Sequence, residues 1–374
     1  MKILAISHEF PPIGGGGANA CYFLTKGFVE RGHEVTLITA NYQGMPEKEV
    51  MNGVQIMRVN SLRKHKEHCS FKEMLSYLFK AYPVAKKMQK ENRYDICLIF
   101  FGIPSGPIGY MLKKKYKLPY VIRFGGGDVP GFQERFTKVY KLIAPAIKMI
   151  WKKADARIAN SQGLKDMALK FYDKKSFDII PNGVDTDVFF PVEREAGEEF
   201  RILFVSRLIE RKGLQFVIPQ LKEIQSSTDK KITLIVVGDG PYRETLEQIA
   251  KDNQVYDMIE FVGQKDKSEI VPYYQNADLF ILPSAKEGMP NVVLEAMACG
   301  LPIIMTPCEG SAELICKNGY RIETKKFADD IIKLIEDNEM RKEMSINSNK
   351  RVKKIFSWEH VVNEYLETLD GLLK

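Results

Sequence analysis

Two glutamates eight residues apart, Glu287 and Glu295, are the residues whose type and spacing suggest chemistry most directly. The apolar run at 278–283 predicts a short buried strand, and residues 291–299 predict a helix that a Gly and a Pro close. The loop between them would present free backbone N–H groups and the positive end of the helix dipole, which attract phosphate. The carboxylates would flank that anion and accept hydrogen bonds from hydroxyls. The segment 287–295 therefore predicts a site for a nucleotide sugar.

A second loop, at 206–213, also lies between a predicted strand and a predicted helix and carries Arg207 and Lys212. Two fixed cations beside a diphosphate would neutralise the charge that builds on a departing nucleotide. In isolation such a pair is more often a solvated surface pair. Next to the Glu287 segment the catalytic interpretation is favoured.

Two glycine-rich loops follow strands of the first half of the chain, at 14–17 and 125–127. Glycines let a backbone approach a ligand closely, and a helix N-terminus favours anions. The first loop is not a G-x-G-x-x-G fingerprint, and its alternative is a merely flexible loop. In the second, Asp128 either orients a hydroxyl or caps a turn, and both readings stay open.

Other kinds of site find little support in the sequence. Asp185 and Asp187 match a D-x-D metal signature, but they lie at a predicted domain junction in ordinary turn chemistry, so we expect no metal. The five histidines and six cysteines show no metal-like spacing, and a reducing compartment is expected. Neither a G-x-S-x-G elbow nor a Walker loop occurs.

Strands and helices alternate along the whole chain, which predicts βαβ units with parallel sheets. The polar, charged segment 191–199 is the predicted linker between two doubly wound α/β units. Ligands bind such sheets at the carboxyl ends of the strands, so a cleft between the units is the expected site. The predicted strands are 3–7, 35–39, 95–100, 119–123, 156–160, 201–205, 232–237, 259–262, 279–282 and 302–305, and the predicted helices are 18–31, 106–115, 133–153, 213–224, 242–251 and 268–275.

The net charge of +7 is concentrated in two segments. Residues 60–93 hold nine Lys or Arg against three acids, and residues 138–153 hold five Lys and no acid. Such a basic face predicts an acidic partner, namely anionic lipid, a phosphorylated acceptor or nucleic acid. Apolar residues recur at helical spacing in both segments, which fits either docking on an anionic bilayer or ordinary surface helices with a core face. The start of the chain predicts a strand rather than a signal peptide, and no apolar stretch is long enough to span a bilayer.

Several separate stretches together resemble one family, the retaining GT-B-fold glycosyltransferases of family 4, also called glycosyltransferases group 1. The matching stretches run in family order over nearly the entire chain: 9–17 with 31–36, 180–185 followed by 189–191, 206–208 with 212–213, 237–241, 261–263 and 283–298.

The resemblance implies two Rossmann-like doubly wound domains that face each other across a cleft. An N-terminal acceptor-binding domain would comprise 1–187 plus 357–374, and a C-terminal donor-binding domain would comprise 188–356. The final helix, around 358–373, would cross back onto the N-terminal domain.

The resemblance also implies roles for individual residues. Arg207 and Lys212 would bind the diphosphate, Glu287 the donor sugar near its 3-hydroxyl, and Glu295 the ribose. Asp128 and Arg123 would lie on the acceptor side. The remaining donor-binding residues would be Gly15, Gly16, Val262 (near the base), Gly288, Met289, Asn291, Val292 and Val293.

One departure from the family concerns the first unit. Members often carry a His, or in a variant an Arg, at the position that Gly125 occupies here. Arg123 is the predicted substitute. Pro290 additionally removes one amide donor from the loop before the helix.

These observations predict a retaining, metal-independent transferase that moves a hexose from a nucleoside diphosphate sugar, with UDP favoured, to a hydroxyl of a glycan or lipid-linked acceptor. A role in cell-surface polysaccharide or lipopolysaccharide biosynthesis is expected. We expect no cofactor and no nucleic acid, and a cytoplasmic protein that contacts an anionic membrane surface. The alternatives are a sugar-nucleotide epimerase or hydrolase on the same fold and a noncatalytic binding protein.

Overall fold

A computed structural model describes residues 1–66, 69–194 and 197–374 of the chain. They form two compact units, Met1–Asn182 with Trp358–Lys374, and Gly183–Ser357. The boundaries thus lie at 182 and 357, where the sequence placed them at 187 and 356. The described part of the predicted linker 191–199 belongs to the second unit, and its residues 195–196 lie outside the described residues. Residues 67–68 of the basic segment 60–93 also lie outside them.

The first unit is built on a mostly parallel sheet. Its strands are β1 (Lys2–Ile6), β2 (Glu34–Ala40), β3 (Lys48–Met51), β4 (Val54–Val59), β5 (Ile96–Phe100), β6 (Tyr120–Arg123), β7 (Ala156–Ala159) and β8 (Asp178–Ile179). Their order is β3-β4-β2-β1-β5-β6-β7-β8, and only the β3–β4 pairing is antiparallel. Strands β1 and β5 are parallel neighbours, but successive strands are added on one side of the sheet after β1 and on the other side from β5 onward. Loops at the carboxyl ends of these two strands therefore lie where open α/β sheets bind ligands.

Helices cover both faces of this sheet. They are α1 (Gly16–Glu30), α2 (Phe71–Asn92), α3 (Gly106–Tyr116), α4 (Thr137–Leu142), α5 (Ala144–Lys153) and α6 (Gln162–Phe171), together with the last helix of the chain, Trp358–Gly371. Apolar residues of α1 and the last helix share one buried cluster, and those of α2, α3, α5 and α6 share another. The sheet is hence the middle of three layers, as its buried and mostly apolar central strands β1, β5 and β6 require.

The second unit repeats this plan with an all-parallel sheet. Its strands are β9 (Glu199–Val205), β10 (Lys231–Val237), β11 (Ile259–Gly263), β12 (Leu279–Leu282), β13 (Ile303–Met305) and β14 (Gly319–Arg321). Their order is β11-β10-β9-β12-β13-β14. The helices are α7 (Leu221–Ser226), α8 (Arg243–Asp252), α9 (Lys267–Gln275), α10 (Asn291–Ala298), α11 (Ser311–Leu314), α12 (Phe327–Glu336) and α13 (Asn338–Arg351), and the last helix of the chain is therefore α14. Together they enclose a single buried core.

Two long helices of the sequence prediction were wrong because of proline and glycine. The helix predicted at 133–153 is broken at Ile143, since Pro145 in the first turn of α5 cannot continue a helix from α4. The helix predicted at 213–224 is a series of 3₁₀ turns that becomes α-helical only at Leu221. Gly213 adopts a left-handed φ of +77° and Pro219 lies within the turns.

The prediction left out the β3–β4 hairpin, and for the segment that forms α2 it gave only a helical spacing of apolar residues. The β3–β4 hairpin turns at Asn52 and Gly53, both with positive φ, which is the usual signal of a two-residue hairpin. Helix α2 starts with a capping box in which Ser70 and Glu73 exchange side-chain-to-backbone hydrogen bonds. In the part of the chain that the structure describes, no helix is both long enough and apolar enough to cross a membrane.

Helix α14 returns to the first unit and packs closely on α1. A Cβ atom built on Gly27 would lie 2.5 Å from Cγ2 and 3.1 Å from Cγ1 of Val362. Phe23 stacks on Trp358 with ring centroids 5.0 Å apart. The missing side chain at Gly27 is what lets the two helices approach.

We expect Gly27→Ala to destabilise the first unit, although alanine favours a helix more than glycine does. The added Cβ overlaps the stiff Val362 side chain, and such overpacking costs about 1–3 kcal/mol. Gly371→Ala in α14 is the control, because its Cβ would meet no atom within 4 Å. Chemical denaturation measures both variants. Equal free energies of unfolding for the two would contradict the packing argument.

Candidate active site

Two loops of the second unit follow neighbouring strands. Strands β9 and β12 pair in parallel, with Ile202 opposite Leu279 and Leu203 opposite Phe280. Their carboxyl ends therefore lie side by side at one edge of the sheet. The loop 206–213 leaves the first of these strands and the loop 283–290 leaves the second.

The two loops are joined through Lys212, Ser284 and Glu287. Lys212 Nζ donates to Oε1 of Glu287 at 2.6 Å, and Ser284 Oγ donates to the same oxygen at 2.8 Å. The side chains of Lys212 and Glu287 are each only 13% exposed. A charge-assisted hydrogen bond between mostly buried side chains is stronger than an ion pair that is exposed to solvent. The ammonium and the carboxylate are thus held in fixed orientations.

The backbone brings these side chains together by a close approach at Gly213. A Cβ built on Gly213 would lie 1.9 Å from the carbonyl oxygen of Pro283, and the residue has a φ of +77°. Ala285 N donates to Arg211 O at 3.0 Å, and the Arg211 guanidinium donates to the carbonyl of Lys286. Only glycine meets both the steric and the conformational demand at position 213.

Arg207 lies on the same loop as Lys212, two residues after the end of β9, and is exposed. The structure brings Lys212 and Glu287 together through a hydrogen bond. The role of Arg207 at a diphosphate stays a prediction.

Helix α10 begins at the segment where the sequence predicts an anion site. Pro290 is its N-cap and Asn291 its first residue, so the amide groups of the loop and first turn lie at the positive end of the helix. The amide of Val293 donates to Pro290 O at 3.1 Å and is already engaged. The predicted donor contacts at Gly288, Met289, Asn291 and Val292 are backbone contacts and lie on this loop and first turn.

The other two predicted donor contacts of this unit lie on α10 and β11. Glu295 is in the second turn of α10, where Oε2 accepts a hydrogen bond from Tyr274 at 2.7 Å. Val262 is partly buried near the end of β11 and packs against the core. Helix α10 begins at the carboxyl edge of the sheet, and strand β11 ends there.

The glycine-rich loop of the first unit rests on a buried ion pair. Glu9 Oε1 accepts from Arg63 at 3.3 Å, and Gly14 N donates to Lys66 O at 2.8 Å. Burial raises the pKa of Glu9, although the nearby Arg63 opposes this shift. Gly15 and Gly16 are exposed at the start of α1, so their backbone is accessible to a ligand.

Asp128 is buried and fastens two loops together. Its carboxylate accepts from the amides of Gly102 at 2.6 Å, Gly125 at 2.9 Å and Gly126 at 3.0 Å. Burial raises the pKa of Asp128, and these amide donors counteract the rise. This geometry favours the turn-capping reading, and the acceptor role stays a prediction.

The structure explains why glycine occupies position 125. A Cβ built there would lie 2.6 Å from Cε1 of Phe101, so the phenyl ring fills the space that a side chain would need. The same Cβ would lie 3.7 Å from Nη1 of Arg123. Arg123 is 2% exposed and its Nη2 donates to Oδ1 of Asn182. The guanidinium therefore lies next to the position of the family His, and its acceptor role stays a prediction.

Residues 185 and 187 form a turn. The Oδ1 atom of Asp185 accepts from the amide of Asp187 at 3.2 Å, which is the local turn chemistry of an Asx motif. Among the described residues, no group of three or more His, Cys, Asp or Glu side chains is placed to hold a metal ion.

Sequence reasoning missed three residues of the second unit, namely Ser284, Arg211 and Tyr274. Ser284 had a local signal, because it directly follows the strand–proline junction and precedes Glu287 by three residues. Arg211 and Tyr274 act on residues 75 and 21 positions away in the chain, and no local pattern reveals such contacts.

Two Rossmann-like units, with a charged pair and a helix N-terminus at the carboxyl edge of the second sheet, define a GT-B glycosyltransferase. The family comparison agrees. The profile described as "Glycosyltransferase Family 4" matches residues 14–188, and that of "Glycosyl transferases group 1" matches residues 185–351. The chain belongs to the group 1 glycosyltransferases of family 4 and is an enzyme of the transferase class.

Individual proteins show the same likeness. N-acetyl-alpha-D-glucosaminyl L-malate synthase of Bacillus anthracis is 28% identical over 95% of this chain and 93% of its own length. TuaC of Bacillus subtilis, named for teichuronic acid biosynthesis, is 30% identical over 67% of this chain and 63% of its own. The structure of Anabaena HepE in complex with UDP superposes with a TM-score of 0.76 at 19% identity, over 99% of this chain and 100% of HepE.

We expect Gly213→Ala to destabilise the second unit strongly. The new Cβ would overlap the Pro283 carbonyl, which adds an overpacking cost of about 1–3 kcal/mol to the cost of a left-handed alanine. Gly263→Ala is the matched control, with a φ of +81° but no atom closer than 3.9 Å. Denaturant unfolding compares the two. A Gly213→Ala protein as stable as the Gly263→Ala protein would show that the close approach is not a constraint.

Proposed function

We propose that this enzyme transfers a hexose from a nucleoside diphosphate sugar, a UDP-sugar by preference, to a hydroxyl of a glycan or lipid-linked acceptor. The observation that carries the proposal is the Lys212–Glu287 pair beside the N-terminus of α10. It combines a cation and amide donors suited to phosphate with a carboxylate suited to sugar hydroxyls. The second unit is the proposed donor-binding domain and the first the proposed acceptor-binding domain.

Phosphate recognition follows from the positive groups at the sheet edge. The ammonium of Lys212, the guanidinium of Arg207 and the first-turn amides of α10 would surround the diphosphate. Their charge would stabilise the departing nucleotide, and such electrostatic stabilisation is often the largest contribution to catalysis. Because the protein itself supplies this charge, we propose that the reaction needs no metal ion.

Sugar recognition follows from Glu287. Oε1 is already held by Lys212 and Ser284, so a hydroxyl near the sugar 3-position would meet a carboxylate of fixed orientation. Pre-organised groups of this kind lose little freedom when the transition state forms. Neutralising Lys212 would therefore affect both the phosphate and the sugar contacts.

We propose that the transfer proceeds with retention of configuration. The bond between the anomeric carbon and the phosphate oxygen would break as the bond to the acceptor oxygen forms on the same face. The acceptor proton would pass to the leaving diphosphate oxygen, so no separate base is needed. Asp128 and Arg123 are the proposed acceptor-side groups of the first unit, and the exposed backbone of Gly15 and Gly16 is proposed to lie by the donor phosphates.

A basic surface of the first unit supports a membrane-linked acceptor. Lys72, Lys80, Lys86, Lys87 and Lys90 of α2 are exposed, as are Lys138, Lys141, Lys148, Lys152 and Lys153 around α4 and α5. The nearby Lys86 ammonium of α2 lowers the pKa of Lys115 on α3.

Apolar side chains are exposed among these lysines. Phe79 is 72% exposed and Leu142 is 82% exposed, whereas Ile147, Ile150 and Trp151 face the core. Exposed apolar residues within a cationic surface suit the interface of an anionic bilayer. We propose that this surface, here called the basic face, places the enzyme peripherally on the cytoplasmic side of a membrane.

Donor turnover tests the proposed activity. A panel of UDP-, GDP- and ADP-sugars with a membrane extract as acceptor should yield nucleoside diphosphate with one donor. Lys212→Gln should lower that turnover about a hundredfold or more, because it removes charge stabilisation of the leaving group. The control is Glu339→Gln, which breaks the exposed Lys342–Glu339 pair and should leave turnover unchanged.

The proposal fails if the folded wild-type protein turns over no donor with any extract, or if Lys212→Gln keeps most of the wild-type rate. Release of free epimerised sugar without acceptor would instead favour an epimerase on the same fold.

Liposome sedimentation tests the basic face. Vesicles containing phosphatidylglycerol should retain the protein at low salt, and Lys138→Ala with Lys141→Ala and Lys148→Ala should release it, since each lysine contributes about 1 kcal/mol near an anionic surface. The matched control replaces three exposed lysines of the second unit, Lys325, Lys342 and Lys350, with alanine. Equal loss of vesicle binding in the two triple variants, or vesicle binding that does not depend on salt concentration, would contradict the membrane assignment.

A further inference from the structure

A buried tyrosine hydroxyl in the second unit points at a carboxylate of the proposed donor site. Tyr274 lies on α9 and its side chain is 0% exposed. Its hydroxyl donates to Oε2 of Glu295 at 2.7 Å. Glu295 itself is only partly buried, so the carboxylate stands between the core and the surface.

The tyrosine ring is clamped by two other aromatic rings. Phe189 meets it edge-on, with centroids 5.7 Å apart and an interplanar angle of 84°. Phe280 of β12 stacks beside it at 6.0 Å and 30°. Both phenylalanines are buried in the same core. Because packed aromatic rings in a core keep their places, the hydroxyl has a fixed position.

The hydroxyl of Tyr274 also stays protonated at neutral pH. Burial raises the pKa of Tyr274 well above its usual value, and the Glu295 carboxylate raises it further. The tyrosine is therefore a permanent donor to Oε2. A hydrogen bond from a buried group to a charged acceptor is stronger than a neutral one, and its loss removes the restraint that Tyr274 places on Oε2 of Glu295.

We propose that Tyr274 is a positioning residue for ribose recognition, which holds the Glu295 carboxylate in the orientation that the vicinal ribose hydroxyls require. This inference rests on the proposed function, in which Glu295 contacts the ribose of the donor. Through Tyr274 the enzyme distinguishes ribonucleoside diphosphates from their 2′-deoxy counterparts. Phe189 and Phe280 act through Tyr274 and touch no ligand themselves.

The hydroxyl can be removed without disturbing the packing. Tyr274→Phe keeps the ring between Phe189 and Phe280 and deletes only the donor to Glu295. The matched control is Tyr320→Phe in the same unit, where the deleted hydroxyl contacts the sulfur of Met340 at 3.1 Å, away from the site. Thermal unfolding of both variants verifies that each is folded.

Calorimetric titration with UDP, GDP and ADP, each paired with its 2′-deoxy form, is the test. We expect the wild type to bind one ribonucleotide about tenfold or more tighter than its deoxy form, as the loss of a hydrogen bond to a charged group implies. In Tyr274→Phe the ribonucleotide should weaken about tenfold, whereas the 2′-deoxy form, which has only the 3′-hydroxyl to contact Glu295, should weaken much less. The Tyr320→Phe protein should retain the wild-type preference.

Three results would overturn the inference. One is a Tyr274→Phe protein that keeps the wild-type preference. Another is equal weakening of both nucleotide forms, which would mark general damage. The third is a wild type that binds both forms alike. In each case, donor turnover by the wild type would still support the proposed function. A wild type that neither binds a nucleotide nor turns over a donor would contradict both the proposed function and the role of Tyr274.

Discussion

The hydrogen-bonded pair of Lys212 and Glu287 is the interaction on which the rest of the second unit's site depends. It exists because two parallel strands deliver their loops to one edge and because Gly213 lets one loop touch the backbone of the other. Ser284 and Arg211 then fix the second loop. Loss of either partner would be destabilising, because the remaining charge would be mostly buried without a compensating charge.

Each unit arranges the groups of its proposed site by the same means. In the first unit a buried Glu9–Arg63 pair supports the glycine-rich loop, and Asp128 ties two loops through three backbone amides. In the second unit Tyr274 holds Glu295. Buried polar side chains thus orient the segments around them, while the sheets provide the rigid base, as a pre-organised site requires.

Sequence patterns within short segments predicted the strands, the loops and the type of fold. The alternation of apolar runs with helices, the strand–loop–helix unit around Glu287 and the family motifs were enough to predict two α/β units, and the family comparison confirmed the enzyme class. The break before Pro145 and the Asn52–Gly53 turn had local signals that were overlooked. The contact of Tyr274 with Glu295 and the Phe101 ring beside Gly125 could not be predicted, because they join residues distant in the chain.

We infer that Lys212 and Glu287 act as a coupled pair in donor turnover, and a double-mutant cycle separates coupled from independent action. Lys212→Gln, Glu287→Gln and the double variant would be compared by kcat/KM with the same donor. If the pair acts as one unit, the double variant is about as slow as the slower single variant, since the first change already disorients the partner. Losses that multiply in the double variant would instead show that the two side chains act independently.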